Sequence, residues 1–112
     1  MKDLAPDIFR QRLVIEGTCD HAITDIEIKQ YLSNLSDTIG MKTLLEPVTH
    51  RSDQYGWAGW IHWETSGAHF YAWDEPFFFS VDIYTCKAFD IMEAVEFTKK
   101  FFQADHIEHK SF

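Results

Sequence analysis

Two side chains that could take part in chemistry, Ser66 and Cys86, lie at the ends of neighbouring strand-like segments. Ser66 separates two runs of residues that suit a pleated sheet, Trp57 to Glu64 and His69 to Trp73. The small residues of Thr65-Ser66-Gly67 favour a turn between these runs. We therefore predict a β-hairpin with Ser66 at its tip.

A third strand-like run, Phe77 to Tyr84, follows the Asp74-Glu75-Pro76 break and ends just before Cys86. Antiparallel pairing of this run with the hairpin would bring a hydroxyl nucleophile and a thiol to the same sheet edge. The thiol has a second interpretation, because cysteine also serves as a small buried hydrophobic residue at strand ends.

The region before the hairpin predicts a strand, a helix and a second strand. The strand covers Phe9 to Glu16 and ends at Gly17 to Asp20. Thr24 and Asp25 are candidate helix caps, and Gly40 supplies a stop. Between them, apolar residues recur at helical spacing: Ile28, Tyr31, Leu32, Leu35 and Ile39. The second strand, Lys42 to Thr49, is weakened by Pro47, and His50 to Gln54 is a polar loop.

After the third run, Asp90 with Glu93 resembles a capping box and begins a second helix that ends near Ala104. His106 to Lys110 follows as a last short strand. This order predicts a single α+β domain over residues 1–112, a two-layer sandwich of an antiparallel sheet with both helices on one face.

Two helices on one face leave the other face of the sheet open. Aromatic residues are expected on both faces: Trp57, Trp60, Trp63, Phe70, Trp73, Phe77, Phe78 and Phe79. A large apolar open face usually marks an interface or a ligand cleft, although each aromatic taken alone is more often a core residue. We therefore predict a homodimer joined sheet to sheet.

Composition limits the partners. The 112 residues carry a formal charge of -8, which argues against nucleic acid and anionic membranes and favours a cationic small molecule. No apolar run approaches the roughly 20 residues of a membrane span, and the N-terminal MKDLAPDIFR does not resemble a signal peptide, so we expect a cytoplasmic protein. Cys19 and Cys86 are expected to be free thiols, and no zinc-ligand spacing is present.

Five motifs are informative in combination: LVIEGTCD from Leu13, YGWAGW from Tyr55, SGAHFYAWDE from Ser66, VDIYTC from Val81 and HIEH from His106. Together they resemble the small prokaryotic S-adenosylmethionine decarboxylases. The intervals from Ser66 to Trp73 and from Trp73 to Cys86 match that family without a gap, which makes the combination fairly specific.

The resemblance implies a pyruvoyl-dependent decarboxylase of polyamine (spermidine) biosynthesis that makes its own cofactor. In that family the precursor serine attacks the preceding carbonyl, the chain splits, and a pyruvoyl group caps the second fragment. Carried over to this sequence, Thr65-Ser66 would be the cleaved bond, Ser66 the pyruvoyl precursor and Cys86 the proton donor. Trp73 and Glu75 match an aromatic and a carboxylate near the ligand, and Trp57 is a further aromatic candidate for ligand contact.

Four positions around the same reaction depart from the family. Tyr71 replaces a histidine that assists processing, and Ala58 replaces a serine. Thr65 replaces a glutamate before the cleaved bond, and Gly67 replaces a histidine after the serine. A neutral phenol is a poor base near pH 7. His69, on the same strand face as Tyr71, or His62 could compensate.

Two functions therefore remain open from the sequence. The chain is either an unprocessed homologue that binds an adenosyl or amine ligand without turning it over, with no cofactor, or an active decarboxylase of S-adenosylmethionine or a related basic amino acid. The departures at Ala58 and Tyr71 favour the first.

Overall fold

Six strands form one antiparallel sheet in the order β2-β3-β4-β5-β1-β6 in this computed structural model, which describes residues 1–112. The elements in chain order are β1 (Gln11–Thr18), α1 (Asp25–Thr38), β2 (Thr43–Arg51), β3 (Trp57–Trp63), β4 (Ser66–Trp73), β5 (Phe78–Thr85), α2 (Ile91–Phe102) and β6 (His106–Ser111). The predicted α+β sandwich is thus confirmed. Neither helix is long and apolar enough to cross a membrane.

The core lies between one face of the sheet and the two helices. Alternate strand residues such as Ile15, Phe70 and Val81 are fully buried there, because successive side chains of a strand point to opposite faces. Helix α1 contacts β2 and β3, while α2 contacts β1 and β6, so the two helices cover the two halves of this face. Tyr31 packs against Phe70 and donates its hydroxyl hydrogen bond to Thr98 Oγ1 at 2.7 Å. Burial raises the pKa of Tyr31 above its usual range.

The helix ends follow the predicted capping residues closely. Thr24 caps α1 in a full capping box with Glu27, and Asp25 is the first helical residue rather than a second cap. Asp90 caps α2 by accepting a hydrogen bond from the Glu93 backbone N–H at 3.1 Å. Helix α2 ends at Phe102, two residues before the predicted end, because Gln103 adopts a left-handed conformation with φ 49°.

Two strand boundaries differ from the sequence prediction for identifiable reasons. Strand β1 continues through Gly17 to Thr18, because both residues pair with β5 and with β6. Glycine is needed at position 17, since a Cβ there would lie 2.6 Å from Phe79 Cζ. Strand β2 continues to Arg51. Its pairing with β3 shifts register between Leu45 and Val48, the interval that contains Pro47, as expected for a proline in an edge strand.

The other face of the sheet, called here the open face, is more polar than predicted. Trp63, Phe70 and Phe79 lie in the core, and Trp57 packs against it, so these four do not populate the open face. Strand alternation leaves aromatic and polar side chains together on the open face: Arg12, Val14, Glu16, Trp60, His62, His69, Tyr71, Trp73, Phe78, Ser80, Asp82 and Tyr84. Phe77 is exposed in the connection between β4 and β5.

Candidate active site

Ser66 and Cys86 lie next to each other at one end of two central strands of the sheet. Ser66 begins β4 and Cys86 directly follows β5, and these two strands pair antiparallel. Ser66 Oγ accepts a hydrogen bond from the Cys86 backbone N–H at 3.0 Å. The predicted meeting of hydroxyl and thiol residues at strand ends is therefore present in the fold.

The turn before Ser66 is tighter than predicted. Glu64 and Thr65 form a two-residue turn, and Ser66 is the first paired residue of β4, opposite Trp63, rather than the tip of the hairpin. Thr65 has φ 55°, a left-handed conformation that a β-branched residue rarely adopts and that costs on the order of 1 to 2 kcal/mol. Strain is therefore located at the residue that precedes Ser66.

No side-chain base is hydrogen-bonded to Ser66. Its Oγ contacts only the Cys86 N–H, and no carboxylate, imidazole or thiol accepts a hydrogen bond from it. His62 is the histidine whose backbone lies nearest, opposite Gly67 in the β3–β4 pair. Its ring packs on Trp60 with centroids 4.4 Å apart.

The Cys86 thiol faces Tyr84. Cys86 Sγ lies 3.8 Å from the Tyr84 hydroxyl, and Cys86 is half-buried. The second thiol, Cys19, is buried and donates to the His21 backbone carbonyl at 3.3 Å. Burial raises the pKa of Cys19 above its usual value, so this thiol is held neutral. Both cysteines are free, as predicted.

His69 and Tyr71 lie side by side further along β4, on the open face. His69 Nδ1 is 3.3 Å from the Tyr71 hydroxyl oxygen. Tyr71 lies directly opposite Ala58 in the β3–β4 register. At about 3.3 Å per strand residue, Tyr71 is roughly 17 Å along β4 from Ser66 within the same chain.

The predicted ligand-contacting residues occupy the far end of β4. Trp73 pairs with Phe78, with ring centroids 5.3 Å apart, and Glu75 is exposed in the following turn. Trp57, at the start of β3, packs on the Arg51 guanidinium at 5.8 Å. Seven strand residues separate Trp73 from Ser66, roughly 23 Å. One chain alone therefore does not bring these aromatic residues to Ser66.

A cleft of about 1000 Å³ opens on the open face beside Ser66, and we call it the Ser66 cleft. The sheet contributes Arg12, Val14, His62, Gly67, His69, Asp82 and Tyr84 to its lining. The segment before β1 supplies a side wall with Met1, Lys2, Leu4 and Arg10. Arg12, Tyr84 and this wall were not predicted from the sequence as parts of a site. The alternation of Arg12 with Leu13 could have placed Arg12 on the open face, whereas residues 1–10 show no periodicity that predicts their position.

The cleft differs in charge from the chain as a whole. Lys2, Arg10 and Arg12 line it, against one carboxylate, Asp82. Arg10 is neutralised by an ion pair with Asp3 within the N-terminal segment. No group of three or more histidine, cysteine, aspartate or glutamate residues in the chain could hold a metal ion.

Comparison with known proteins gives a consistent result. The family model described as S-adenosylmethionine decarboxylase matches residues 12–112. The crystal structure of the adenosylmethionine decarboxylase from Aquifex aeolicus VF5 is similar, with a TM-score of 0.77 at 13% sequence identity, covering 94% of this chain and 89% of that chain. At this identity the structural likeness shows the fold. No curated protein matches the chain.

Proposed function

The chain belongs to the S-adenosylmethionine decarboxylase family, and on that premise we propose that it is an unprocessed member that binds an adenosyl or amine ligand without turning it over. The family depends in general on a pyruvoyl group derived from the chain itself. Ser66, with Cys86 beside it and strained Thr65 before it, is the residue that would give rise to that group here. The group would supply an electron-withdrawing carbonyl for decarboxylation.

The observation that carries the proposal is the cross-strand pair of Ala58 and Tyr71. These are the two positions where the family resemblance expects a serine and a histidine that serve self-cleavage. Because Tyr71 lies roughly 17 Å along β4 from Ser66 of its own chain, such groups would act on the partner's Ser66 in the homodimer proposed below. Here a methyl group and a phenol face each other, so the serine and the histidine are both replaced at one place on the sheet. Loss of one such group commonly costs on the order of 10² to 10⁴ in rate, and loss of two should make cleavage negligible.

The environment of Ser66 supports the same conclusion. A serine hydroxyl attacks a carbonyl when a base takes its proton, and no base is hydrogen-bonded to Ser66 Oγ in the chain. The Cys86 N–H instead donates to that oxygen and holds it in place.

Denaturing mass spectrometry of the purified protein tests the proposal directly. We expect one species near the 13.2 kDa of the intact chain. Two fragments that separate between Thr65 and Ser66, the second with a carbonyl that reacts with hydroxylamine, would refute it. They would support the alternative, an active pyruvoyl-dependent decarboxylase of polyamine biosynthesis, which the contact between Ser66 and Cys86 and the strain at Thr65 favour.

We also propose that the chain forms a homodimer through the open face. The basic residues of the Ser66 cleft lie at one end of this face, while Glu16 and Glu108 lie directly opposite each other toward the other end. Two copies packed with β4 strands running in opposite directions would set the basic end of each against the acidic end of the other. The same packing would bring the partner's Trp73 toward Ser66, which one chain cannot do.

The two free thiols, Cys19 and Cys86, support the proposal that the protein works in the cytoplasm, where thiols stay reduced.

A further inference from the structure

The guanidinium of Arg12 is a positive charge on the open face that has no carboxylate partner within its own chain. Arg12 is exposed, and none of the four ion pairs in the chain includes it. Its only contact of note is with the ring of Tyr84, whose centroid lies 5.1 Å from the guanidinium carbon. Stacking on an aromatic ring orients the planar guanidinium and leaves its N–H donors free.

The sheet register places Arg12 in one row with the residue next to Ser66. Arg12 pairs with Tyr84 across β1 and β5, and Tyr84 pairs with Gly67 across β5 and β4. Gly67 adds no side chain to this row, and a Cβ there would clash with the Ile61 carbonyl oxygen at 2.8 Å, so the position requires glycine. Two strand spacings, about 10 Å, separate the backbones of Arg12 and Gly67. A side chain as long as arginine reaches well into this interval.

A negative charge, the Asp82 carboxylate, lies in the next row of cross-strand pairs in the same cleft. Asp82 pairs with Val14 on β1 and with His69 on β4, and it is the only carboxylate in the cleft lining. A ligand that lies across these rows would meet a cation at Arg12 and an anion at Asp82. That arrangement suits a zwitterion better than a simple diamine.

We propose that Arg12 binds the carboxylate of a zwitterionic amino-acid ligand in the Ser66 cleft. This inference rests on the proposed function and names the residue that holds the ligand's carboxylate at the same site. Lys2, at the cleft wall, adds a second positive charge. Arginine forms paired, charge-assisted hydrogen bonds with carboxylates, and such a contact changes affinity by about tenfold or more.

The contact with Arg12 would affect ligand binding and decarboxylation differently. An arginine that holds the ionised carboxylate stabilises the bound ligand. The negative charge leaves the carboxylate as carbon dioxide forms, so the same contact weakens in the transition state. Arg12 therefore favours binding over turnover.

Calorimetry with a matched ligand pair tests the proposal on the purified full chain. S-adenosylmethionine and decarboxylated S-adenosylmethionine differ by the carboxylate alone. We expect the first to bind about tenfold more tightly, and Arg12→Gln to remove that difference by weakening S-adenosylmethionine only. Lys29→Gln removes the same charge from the exposed surface of α1 and should change neither affinity.

If the unmodified chain binds the two adenosyl compounds with equal affinity, the proposed role of Arg12 is wrong. The proposed function, binding of an adenosyl ligand, would still stand. If neither compound binds, the adenosyl part of the proposed function is wrong, and a second probe pair decides the inference. L-Methionine should then shift the backbone NMR signals of Arg12, Gly67 and Tyr84 in the unmodified chain. 3-(Methylthio)propylamine, which lacks the carboxylate, should shift none of them. L-Methionine should also shift no signal of the Arg12→Gln variant. Absence of any shift with L-methionine refutes the inference.

Discussion

Ala58 and Tyr71 lie directly opposite each other across β3 and β4, on the open face of the sheet. Two positions thirteen residues apart in sequence thus form one local site. A reaction that needs a hydroxyl and an imidazole at this site requires both substitutions in one variant. The effects of substitutions at neighbouring residues are not additive, so neither single variant is expected to suffice.

Restoring these two groups should restore self-cleavage. We predict that the double variant Ala58→Ser, Tyr71→His yields fragments that end at Thr65 and begin at Ser66, detectable by denaturing mass spectrometry. Each single variant should remain largely intact. The triple variant that also carries Ser66→Ala is the control and should not cleave. An inert double variant would mean that other departures, such as Thr65 and Gly67, also prevent the reaction.

The hydrogen bond between Ser66 Oγ and the Cys86 amide should be measurable in stability. Ser66→Ala removes the acceptor of a partly buried N–H, which should lower the free energy of unfolding by about 1 kcal/mol. Urea denaturation measures this change. Amide hydrogen exchange should accelerate at Cys86 relative to core amides such as Phe70. Unchanged exchange at Cys86 would contradict the contact.

The open face should mediate self-association. We expect a homodimer at tens of micromolar by sedimentation, with at least roughly 1,200 Å² buried in total. Trp60→Asp places a charge on the open face and should produce a monomer. Ile26→Asp places the same charge on an exposed position of α1 and should leave the dimer intact. A monomeric unmodified chain would remove the dimer proposal.

His21 should make stability depend on pH. It bridges two carboxylates, with Nδ1 2.7 Å from Asp20 Oδ1 and Nε2 2.7 Å from Glu27 Oε2. Both contacts raise the pKa of His21, with the Asp20 hydrogen bond the larger cause. The stabilisation is therefore complete below the unfolded-state pKa, about 6.5, and is lost as pH rises through the higher folded-state pKa.

Comparison of His21→Gln with the unmodified chain measures this effect. The difference in unfolding free energy should be larger at pH 5.5 than at pH 8.5, by no more than about 1 kcal/mol, since the group is largely exposed and solvent-screened. His109→Gln is a control, because His109 forms no ion pair. The contact between His21 and Glu27 should also weaken below about pH 4.5. The pKa of Glu27 is lowered in the folded protein, so protonation of this carboxylate at low pH removes the stability that its ionised form contributes.

The fold was predictable from the sequence because local rules operate at Thr24, Asp90 and the alternating residues of β1. Helix caps and hydrophobic periodicity depend on residues that are close in sequence, so they can be predicted from the sequence. The prediction of Ser66 at the hairpin tip was wrong, because the unusual conformation of Thr65 allows a two-residue turn.

The Ser66 cleft could not be predicted in the same way. Its wall comes from the segment containing Lys2 and Arg10, whose position depends on long-range packing and on a pair with Asp3 rather than on any repeat. The sequence predicted aromatic residues on both faces without assigning each ring, and strand phase places Trp63, Phe70 and Phe79 in the core.

The strand order has a consequence for any chain that is cut before Ser66. The first piece would hold β1, β2 and β3, and the second β4, β5 and β6, yet β1 lies between β5 and β6, and β3 pairs with β4. The two pieces would be interleaved along three strand pairs and share one core. They could not diffuse apart without global unfolding, so a severed molecule would keep the hydrodynamic size of an intact one. Hydrolysis or self-cleavage at this bond would leave sedimentation and gel filtration of the folded protein unchanged, and the two fragments would separate only after denaturation.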